Sequence, residues 1–310
     1  MDLLNAFIAL ANYVLVPGIA YGSQLALGAL GVTLVYGILR FSNFAHGDTM
    51  ALGAMSAVLI TWGFQSLGLS LGVLPTALLA LPFAIIITIG LLLGTDKLVY
   101  SFYREKKAKP VIFVIVSLGV TFVYNGITRF IIGAEDQRFL DGERFIISAR
   151  DFKQMTGLEE GLAIKTTQGL TVVTAVIVVA ALFWFLNKTR SGKSMRAYSD
   201  NEDLALLSGI NPERVVMITW IIVACLATTA GVLYGLDKSF KPFTYFQLLL
   251  PIFAAAIVGG LGSPIGAIAG GLCYRILRGD DHLCVEKGLW LPRTRGDGPR
   301  RLGAAFVHRL

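Results

Sequence analysis

Three ionisable side chains, Arg40, His46 and Asp48, lie within the nine residues RFSNFAHGD, between two long apolar segments. Such a group can serve acid–base catalysis, a metal site, or the polar turn between two helices. A metal site needs further ligands, which no other His or acidic cluster in the sequence is placed to supply, and a catalytic dyad needs a nucleophile. We therefore predict neither metal ligands nor catalytic residues here. A structural turn or subunit contact is favoured, with a gating role as the alternative.

The composition indicates where this group must reside. Of the 310 residues, 55% are hydrophobic and 15% charged, and the mean hydropathy is +0.68. A soluble protein would have about a quarter of its residues charged. Six segments contain no Asp, Glu, Lys or Arg, namely residues 3–39, 49–94, 110–128, 166–187, 215–236 and 242–274. Each is close to or above the roughly 20 residues needed to cross a bilayer. The sequence predicts an all-α, polytopic transmembrane helical bundle.

We predict seven spans, at residues 12–39, 47–62, 71–94, 111–132, 169–187, 213–236 and 248–272. Residues 95–110 and 187–214 each hold five Lys or Arg and are assigned to the cytoplasm by the positive-inside rule. Residues 133–168, with seven acidic and five basic residues, are assigned to the outside. This orientation puts residue 273 inside. The net charge of +7 is spread over loops and the C-terminal tail, so a nucleic-acid partner is not expected.

The chain has no GxxxxGK[ST] motif, and its spans carry ionisable side chains only at their ends. A proton-coupled carrier would usually need a buried carboxylate in mid-membrane, although sodium can be held by carbonyl groups. No resident cofactor is indicated. Uphill transport by this chain would therefore need energy from another polypeptide.

The segment NEDLALLSGINPER predicts a short helix on the cytoplasmic face. Asp200 or Asn201 can cap its N-terminus, and Gly209 can end it in the left-handed conformation. Pro212 is placed to open the next span. A short helix joined sharply to a span can fit a groove on a soluble partner, while a solvated linker helix is the simpler alternative.

The glycine-rich stretch AAAIVGGLGSPIGAIAGG holds Gly259, Gly260, Gly262, Gly266 and Gly270. The four-residue spacing of the last three lets helix backbones approach closely. We expect these glycines to pack helices, in a pore or between subunits, or in an ordinary bundle without a transport role.

Three stretches, LVYGILRFSNFAHGDTMALGA, NEDLALLSGI and the glycine-rich stretch, occur in the order found in LivH-type permeases of branched-chain amino-acid importers. The second resembles the EAA-type coupling loop of ABC importer permeases, with Ala205 and Gly209 in the alanine and glycine positions. Leu204 departs from that pattern, because a small residue often follows the acid. The resemblance covers roughly residues 10–272.

The resemblance implies a non-catalytic permease subunit in the bacterial cytoplasmic (inner) membrane. Its partners would be a second homologous permease, two ABC ATPase subunits and a periplasmic solute-binding protein. Residues 196–213 would couple the chain to the ATPases, through the six residues Asn201, Glu202, Leu204, Ala205, Gly209 and Ile210. An ion-coupled carrier or channel, and an ABC permease for urea or short amides, are the alternatives.

In this setting RFSNFAHGD predicts a tight cytoplasmic hairpin between the first two spans. Arg40 would anchor one helix end, and Ser42 or Asn43 would cap the next helix. Gly47 would relieve the turn and Asp48 would face the helix dipole. His46 would pair with Asp48 or with a neighbouring subunit.

The last segment, residues 273–310, differs from the permease domain predicted at residues 1–272. It holds eight Lys or Arg, four Asp or Glu and two of the three cysteines, with no apolar span. LivH-type permeases would have another hydrophobic helix here. We interpret the tail as out of frame, so that an eighth span is missing; a basic tail held by anionic lipids is the alternative.

Overall fold

The computed structural model describes residues 8, 10–69, 72, 74–137, 139, 145–147 and 163–277. The predicted tail lies outside the described residues beyond residue 277, as does much of the predicted external segment 133–168. Whether the tail is out of frame stays a prediction.

Helices dominate the described part of the chain. Their bounds are α1 Val16–Leu39, α2 His46–Ser66, α3 Ala77–Thr95, α4 Ser101–Glu105, α5 Pro110–Ile132, α6 Thr166–Lys188, α7 Arg190–Asp200, α8 Glu202–Leu207, α9 Pro212–Lys238, α10 Pro242–Gly259 and α11 Pro264–Leu277. A π-helical turn, Ala11–Leu15, leads into α1, and another, Asp96–Tyr100, joins α3 to α4. A short antiparallel pair, β1 Phe145–Ile147 and β2 Ile164–Lys165, precedes α6.

Six helices in the described ranges are long and apolar enough to cross a membrane: α1, Ala77–Glu105, α5, α6, α9 and α10. The predicted transmembrane bundle is therefore confirmed. The predicted span 47–62 corresponds to α2, which is 21 residues long but is not among the six. Fourteen of its residues are buried inside the protein, so it forms part of the interior of the bundle.

The predicted seventh span, 248–272, is wrong as a single helix. It divides into α10 and α11 because Gly260 and Gly262 both have φ of +92° and interrupt the helical backbone. Gly259 lies against Gly266, and Gly270 against Ala255, so the two helices run antiparallel.

The return of the chain in α11 also changes the predicted topology. Gly22 lies beside Leu272, and Gly37 lies beside Gly262, so α11 is antiparallel to α1. Residue 273 is therefore at the end of the bundle where α1 begins, not at the end where α1 finishes. The predicted seventh span thus holds two helices, of which α11 ends at Leu277, and the prediction that a further span is missing falls on residues outside the described ranges.

The core is built around α1, α2 and α9, and small residues set their separation. A Cβ on Gly53 would lie 2.6 Å from the Thr228 hydroxyl oxygen, and one on Gly231 would clash with the Met50 carbonyl. Because van der Waals packing holds membrane helices together, such glycines allow the backbones to approach each other directly.

Candidate coupling site and buried polar cluster

The helix α7 turns sharply away from the end of α6, and Thr189 and Gly192 make this turn possible. The Thr189 hydroxyl accepts a hydrogen bond from the Gly192 N–H over 3.0 Å and caps α7. A Cβ on Gly192 would collide with the backbone at Phe185 and Leu186. The sequence reasoning did not assign a helix to residues 190–200, although this Thr-x-x-Gly capping pattern was visible.

The short helix α8 begins where it was predicted. Asn201 has an extended backbone, and its side chain accepts a hydrogen bond from the Leu204 N–H over 3.0 Å. Of the two predicted caps, Asn201 is therefore the one used. Glu202 and Asp203 occupy the first turn, where acidic side chains are favoured by the helix dipole.

The end of α8 has the geometry of a Schellman motif. Gly209 has φ of +79°, its N–H donates to the Leu206 carbonyl, and the Ile210 N–H donates to the Ala205 carbonyl, each over 3.0 Å. Asn211 then caps α9 by accepting from the Glu213 N–H over 2.9 Å, with Pro212 at the first helical position. The end of α8 at Gly209 and the start of α9 at Pro212 are therefore as predicted, whereas the cap by Asn211 was not predicted.

The two sides of α8 differ in exposure. Ala205 is buried and Ile210 is half-buried against the core, whereas Leu204 and Leu207 are 60% and 85% exposed. Ala205 was expected to face a partner but faces this chain instead. Every residue of α8 except Ala205 is exposed, which confirms exposure for the predicted Glu202 and Leu204, while the exposed leucines Leu206 and Leu207 were missed.

Three hydrogen bonds fasten α7 to its neighbours. Arg40 adopts the left-handed conformation, with φ of 57°, and its guanidinium donates to the Ser199 carbonyl. The Ser199 hydroxyl donates to the Gly37 carbonyl over 2.9 Å. The Tyr198 hydroxyl donates to Glu202 over 2.6 Å, and burial together with this carboxylate raises the pKa of Tyr198 above its ordinary range. The C-terminus of α1, α7 and α8 are thus joined.

The helix that follows α8 takes part in a partly buried network of polar and aromatic side chains. Trp220 is fully buried in α9, and its Nε1–H donates to Asp96 over 2.8 Å. Asp96 also accepts two hydrogen bonds from Arg104, at 3.0 and 3.1 Å. The Trp220 ring stacks on Tyr100, with centroids 5.4 Å apart. Sequence reasoning missed this network, because Asp96 and Arg104 were counted only as cytoplasmic charges.

The network continues into the loop before α2. The Tyr100 hydroxyl donates to Asn43 Oδ1 over 3.3 Å, and the same oxygen accepts from the Ala45 N–H over 3.1 Å. Asn43 therefore orders the loop, but the prediction that Ser42 or Asn43 caps the helix is wrong, because the residue before α2 is Ala45 and the helix has no side-chain cap. A continuous set of contacts links α9 to the segment that carries His46 and Asp48.

That segment lies inside the bundle, which differs from the predicted turn at the membrane face. His46 and Asp48 are fully buried. The His46 ring lies against the backbones of Gly28 and Gly31, and neither ring nitrogen reaches hydrogen-bonding geometry with a described residue.

Asp48 pairs with Asn125 rather than with His46, accepting from its Nδ2 over 2.9 Å. Gly47 is helical, and it serves close packing against the Tyr245 carbonyl rather than a turn. Among the described residues, no group of three or more His, Cys, Asp or Glu side chains is placed to hold a metal ion.

The glycine predictions divide into two groups. Gly260 and Gly262 form the turn between α10 and α11, while Gly259, Gly266 and Gly270 pack these helices together. This turn lies at the same end of the bundle as α7, because Gly262 and Ser199 line a common cavity of about 230 Å³.

A bundle of apolar helices, with a short capped helix joined to one of its spans, defines a polytopic membrane protein. The sequence model of the family described as branched-chain amino acid transport system / permease component matches residues 14–279, and the chain belongs to this family.

Relatives of known function agree with this assignment. The chain is 29% identical over 263 residues to the high-affinity branched-chain amino acid transport system permease protein LivH of Escherichia coli K12, covering 84% of this chain and 82% of that protein. It is 30% identical over 261 residues to LivH of Salmonella typhimurium, with coverages of 82% and 80%. It is 30% identical over 262 residues to BraD of Pseudomonas aeruginosa, a permease protein with the same description, with coverages of 83% and 82%. No solved structure matches the chain.

Proposed function

We propose that this chain is the permease subunit of an ATP-driven importer that moves branched-chain amino acids across the cytoplasmic membrane. The observation that carries the proposal is the family match over residues 14–279, together with a capped α8 at the foot of α9. The chain supplies the route and no catalytic residue, so partner subunits provide ATP hydrolysis.

The coupling site is α8 with the turn that follows it. Asn201 and Gly209 fix the two ends of this helix, and Ala205 fixes its buried side. The exposed leucines Leu204 and Leu207 are apolar in a polar segment, and so would dock in a groove of an ATPase subunit. Movement of α8 would pass directly to α9, because only the four residues 208–211 lie between the end of α8 and the start of α9.

The assembly that we propose contains a second homologous permease, two ATPase subunits and a solute-binding protein outside. An ion-coupled carrier is less well supported, since the matched relatives are described as parts of transport systems. A permease for urea or short amides has no specific support in the contacts described.

Reconstitution tests the proposal. The chain is co-expressed with a homologous permease, ATPase subunits and a solute-binding protein of the same transport system, and the complex is placed in proteoliposomes. We expect leucine uptake only when ATP is on the ATPase side and the binding protein is on the other. Uptake of leucine by the chain alone, driven by an ion gradient, would overturn the proposal.

Replacement of Leu207 by Asp tests the docking surface of α8. A charge in an apolar contact should cost at least about 2 kcal/mol and reduce co-purification of the ATPase subunits by more than about tenfold. Leu69, which is 50% exposed at the opposite end of the bundle, provides the matched control as Leu69→Asp. Equal recovery of ATPase subunits with both variants would exclude α8 as the contact.

A further inference from the structure

A cavity of about 270 Å³ lies between the start of α7, the connection from α8 to α9, and the first turns of α9. Arg190 of α7 and Arg214 of α9 line this cavity, together with the serines Ser191 and Ser194. All four residues lie at the protein surface or partly exposed, so the cavity can be entered from outside. Two helices therefore bring one guanidinium each to the same accessible space.

Neither guanidinium is neutralised by this chain. Arg190 and Arg214 form no ion pair and no side-chain hydrogen bond with a described residue. No Asp or Glu is among the described residues that line the cavity, and Glu213, the neighbour of Arg214 in sequence, is exposed elsewhere. Two like charges that line one space repel each other, and an anion between them is stabilised by both. Phosphate suits such a place, because its oxygens accept parallel hydrogen bonds from a guanidinium.

The cavity lies at the cytoplasmic surface of the membrane. Arg190 is two residues beyond the end of α6, and Arg214 is the third residue of α9. Both of these helices are long and apolar enough to cross a membrane, and the positive-inside rule puts these ends in the cytoplasm. Further into α9, Val215 and Ile218 continue the lining with apolar side chains. A basic rim above an apolar wall at this level matches a phospholipid, whose phosphate lies at the surface and whose acyl chains lie deeper.

We propose that this cavity binds the phosphate head group of an anionic phospholipid of the cytoplasmic leaflet. Arg190 and Arg214 hold the phosphate oxygens, and Ile218 contacts the first carbons of the acyl chains. The bound head group connects α7 with residues 209–211, which line the same cavity and lead from α8 into α9. The lipid thereby stabilises the position of α8. Binding of the lipid does not depend on the solute that is carried, whereas its role in coupling rests on the proposed function.

Lipid binding is measured on the complete importer by native mass spectrometry in detergent, with dioleoylphosphatidylglycerol as the probe. The variant Arg190→Gln/Arg214→Gln removes both guanidiniums and keeps two polar side chains. We expect its affinity for the most tightly held phosphatidylglycerol to fall by at least about tenfold, because each basic residue adds to the attraction for an anionic head group. Dioleoylphosphatidylcholine, whose head group has no net charge, should bind the parent and the variant equally weakly.

The double variant Lys107→Gln/Lys109→Gln is the matched control. Both lysines are exposed in the cytoplasmic segment before α5, and neither lines the cavity. The control therefore loses the same charge from the same membrane face. Its affinity for phosphatidylglycerol should change by less than about twofold, because salt screens exposed charges that are far from the bound lipid. Equal weakening by the two double variants would show only a general attraction to anionic lipid and would overturn the site.

Competition with inorganic phosphate separates the lipid from a soluble phosphate compound. We expect phosphatidylglycerol to stay bound in excess inorganic phosphate, because contacts of its acyl chains add to those of its phosphate. Displacement by inorganic phosphate would assign the cavity to a soluble ligand and overturn the lipid. An acidic segment of an ATPase subunit is the other possible occupant. Loss of ATPase subunits from the arginine variant, with lipid binding unchanged, would favour that segment and also overturn the proposal.

The role in coupling is tested in nanodiscs of phosphatidylcholine that contain an increasing fraction of phosphatidylglycerol. We expect binding-protein-stimulated ATP hydrolysis by the parent and the lysine control to rise about fivefold as the site fills. Hydrolysis by the arginine variant should stay at the level seen in phosphatidylcholine alone. An identical rise in all three proteins would overturn the role of the cavity in coupling. If the importer carries another solute, the proposed substrate fails, but the difference in lipid binding between the two double variants remains.

Discussion

Gly209 adopts a backbone conformation that most side chains disfavour, and the direction of the chain between α8 and α9 depends on it. Its φ of +79° is in the left-handed region, while a Cβ there would meet no atom within 4 Å. Substitution therefore costs conformational energy and introduces no clash. Because only the conformational energy changes, a series of substitutions at Gly209 can test how strongly function depends on its left-handed backbone.

We expect ATP-driven uptake to fall in the order Gly209, Gly209→Asn, Gly209→Ala, Gly209→Val. Asn tolerates the left-handed region, Ala loses about 1–2 kcal/mol, and a β-branched residue loses more. Uptake and recovery of ATPase subunits are measured for each variant. Ser208→Ala is the control, because Ser208 has φ of −80° and is exposed. Full activity of Gly209→Val would show that this conformation is dispensable.

Trp220 shows what residue types alone do not reveal. The sequence placed it in an apolar span, and nothing in its neighbours along the chain predicted that Asp96 would be its partner, 124 residues away. Local signals such as Asn201, Gly209 and Pro212 were readable because capping depends on residues close in sequence. Long-range pairs such as Asp48 with Asn125 could not be predicted, because the two partners are far apart in the sequence.

Trp220→Phe removes the hydrogen bond to Asp96 and keeps most of the stacking on Tyr100. Hydrogen bonds to charged groups contribute about 1.5–3 kcal/mol, so we expect a clearly lower melting temperature in detergent. We also expect ATP hydrolysis to be less tightly linked to uptake, since the bond connects α9 to the turn after α3. Trp62→Phe, on an exposed part of α2, should change neither quantity. A parental melting temperature for Trp220→Phe would exclude a stabilising role for this bond.

At the scale of elements, composition predicted the spans well wherever one charge-free segment corresponds to one helix. The bounds predicted for α5, α6 and α9 differ from the observed ones by three residues or fewer. The segment 242–274 was misread because it is continuously apolar, and a break made by Gly260 and Gly262 carries no charge to mark it. Apolar composition signals burial in lipid but not where a helix ends.

The pairing of α10 with α11 depends on direct backbone contact, which predicts a sharp response to added volume. A Cβ on Gly266 would overlap the Gly259 carbonyl group, so Gly266→Ala should destabilise the protein by at least about 1–3 kcal/mol. Gly90→Ala in α3 provides the same chemical change where a Cβ meets no atom within 4 Å, and should be neutral or slightly stabilising. Thermal unfolding in detergent compares them. Equal stability of the two variants would contradict the observed contact.

At the scale of the whole molecule, the same end of the bundle carries α7, α8, the C-terminus of α1 and the turn between α10 and α11. The contacts of Arg40 with Ser199, and of Gly37 with Gly262, fix this arrangement. Basic residues flank α7, so this end is cytoplasmic by the positive-inside rule. The α10–α11 turn thus lies beside α7 and α8, whereas the predicted single span 248–272 has no turn at this end of the bundle.

Single cysteines placed at Leu207, Leu261 and Leu69 test this topology in a cysteine-free background, because the three side chains are exposed at known positions. An impermeant maleimide should label Leu207→Cys and Leu261→Cys only from the cytoplasmic side, and Leu69→Cys only from outside. A single helix over residues 248–272 would instead bury residue 261 in hydrocarbon, where it would react from neither side. Labelling of Leu261→Cys from outside would contradict the fold itself, since α11 could not then run antiparallel to α1 from the cytoplasmic end.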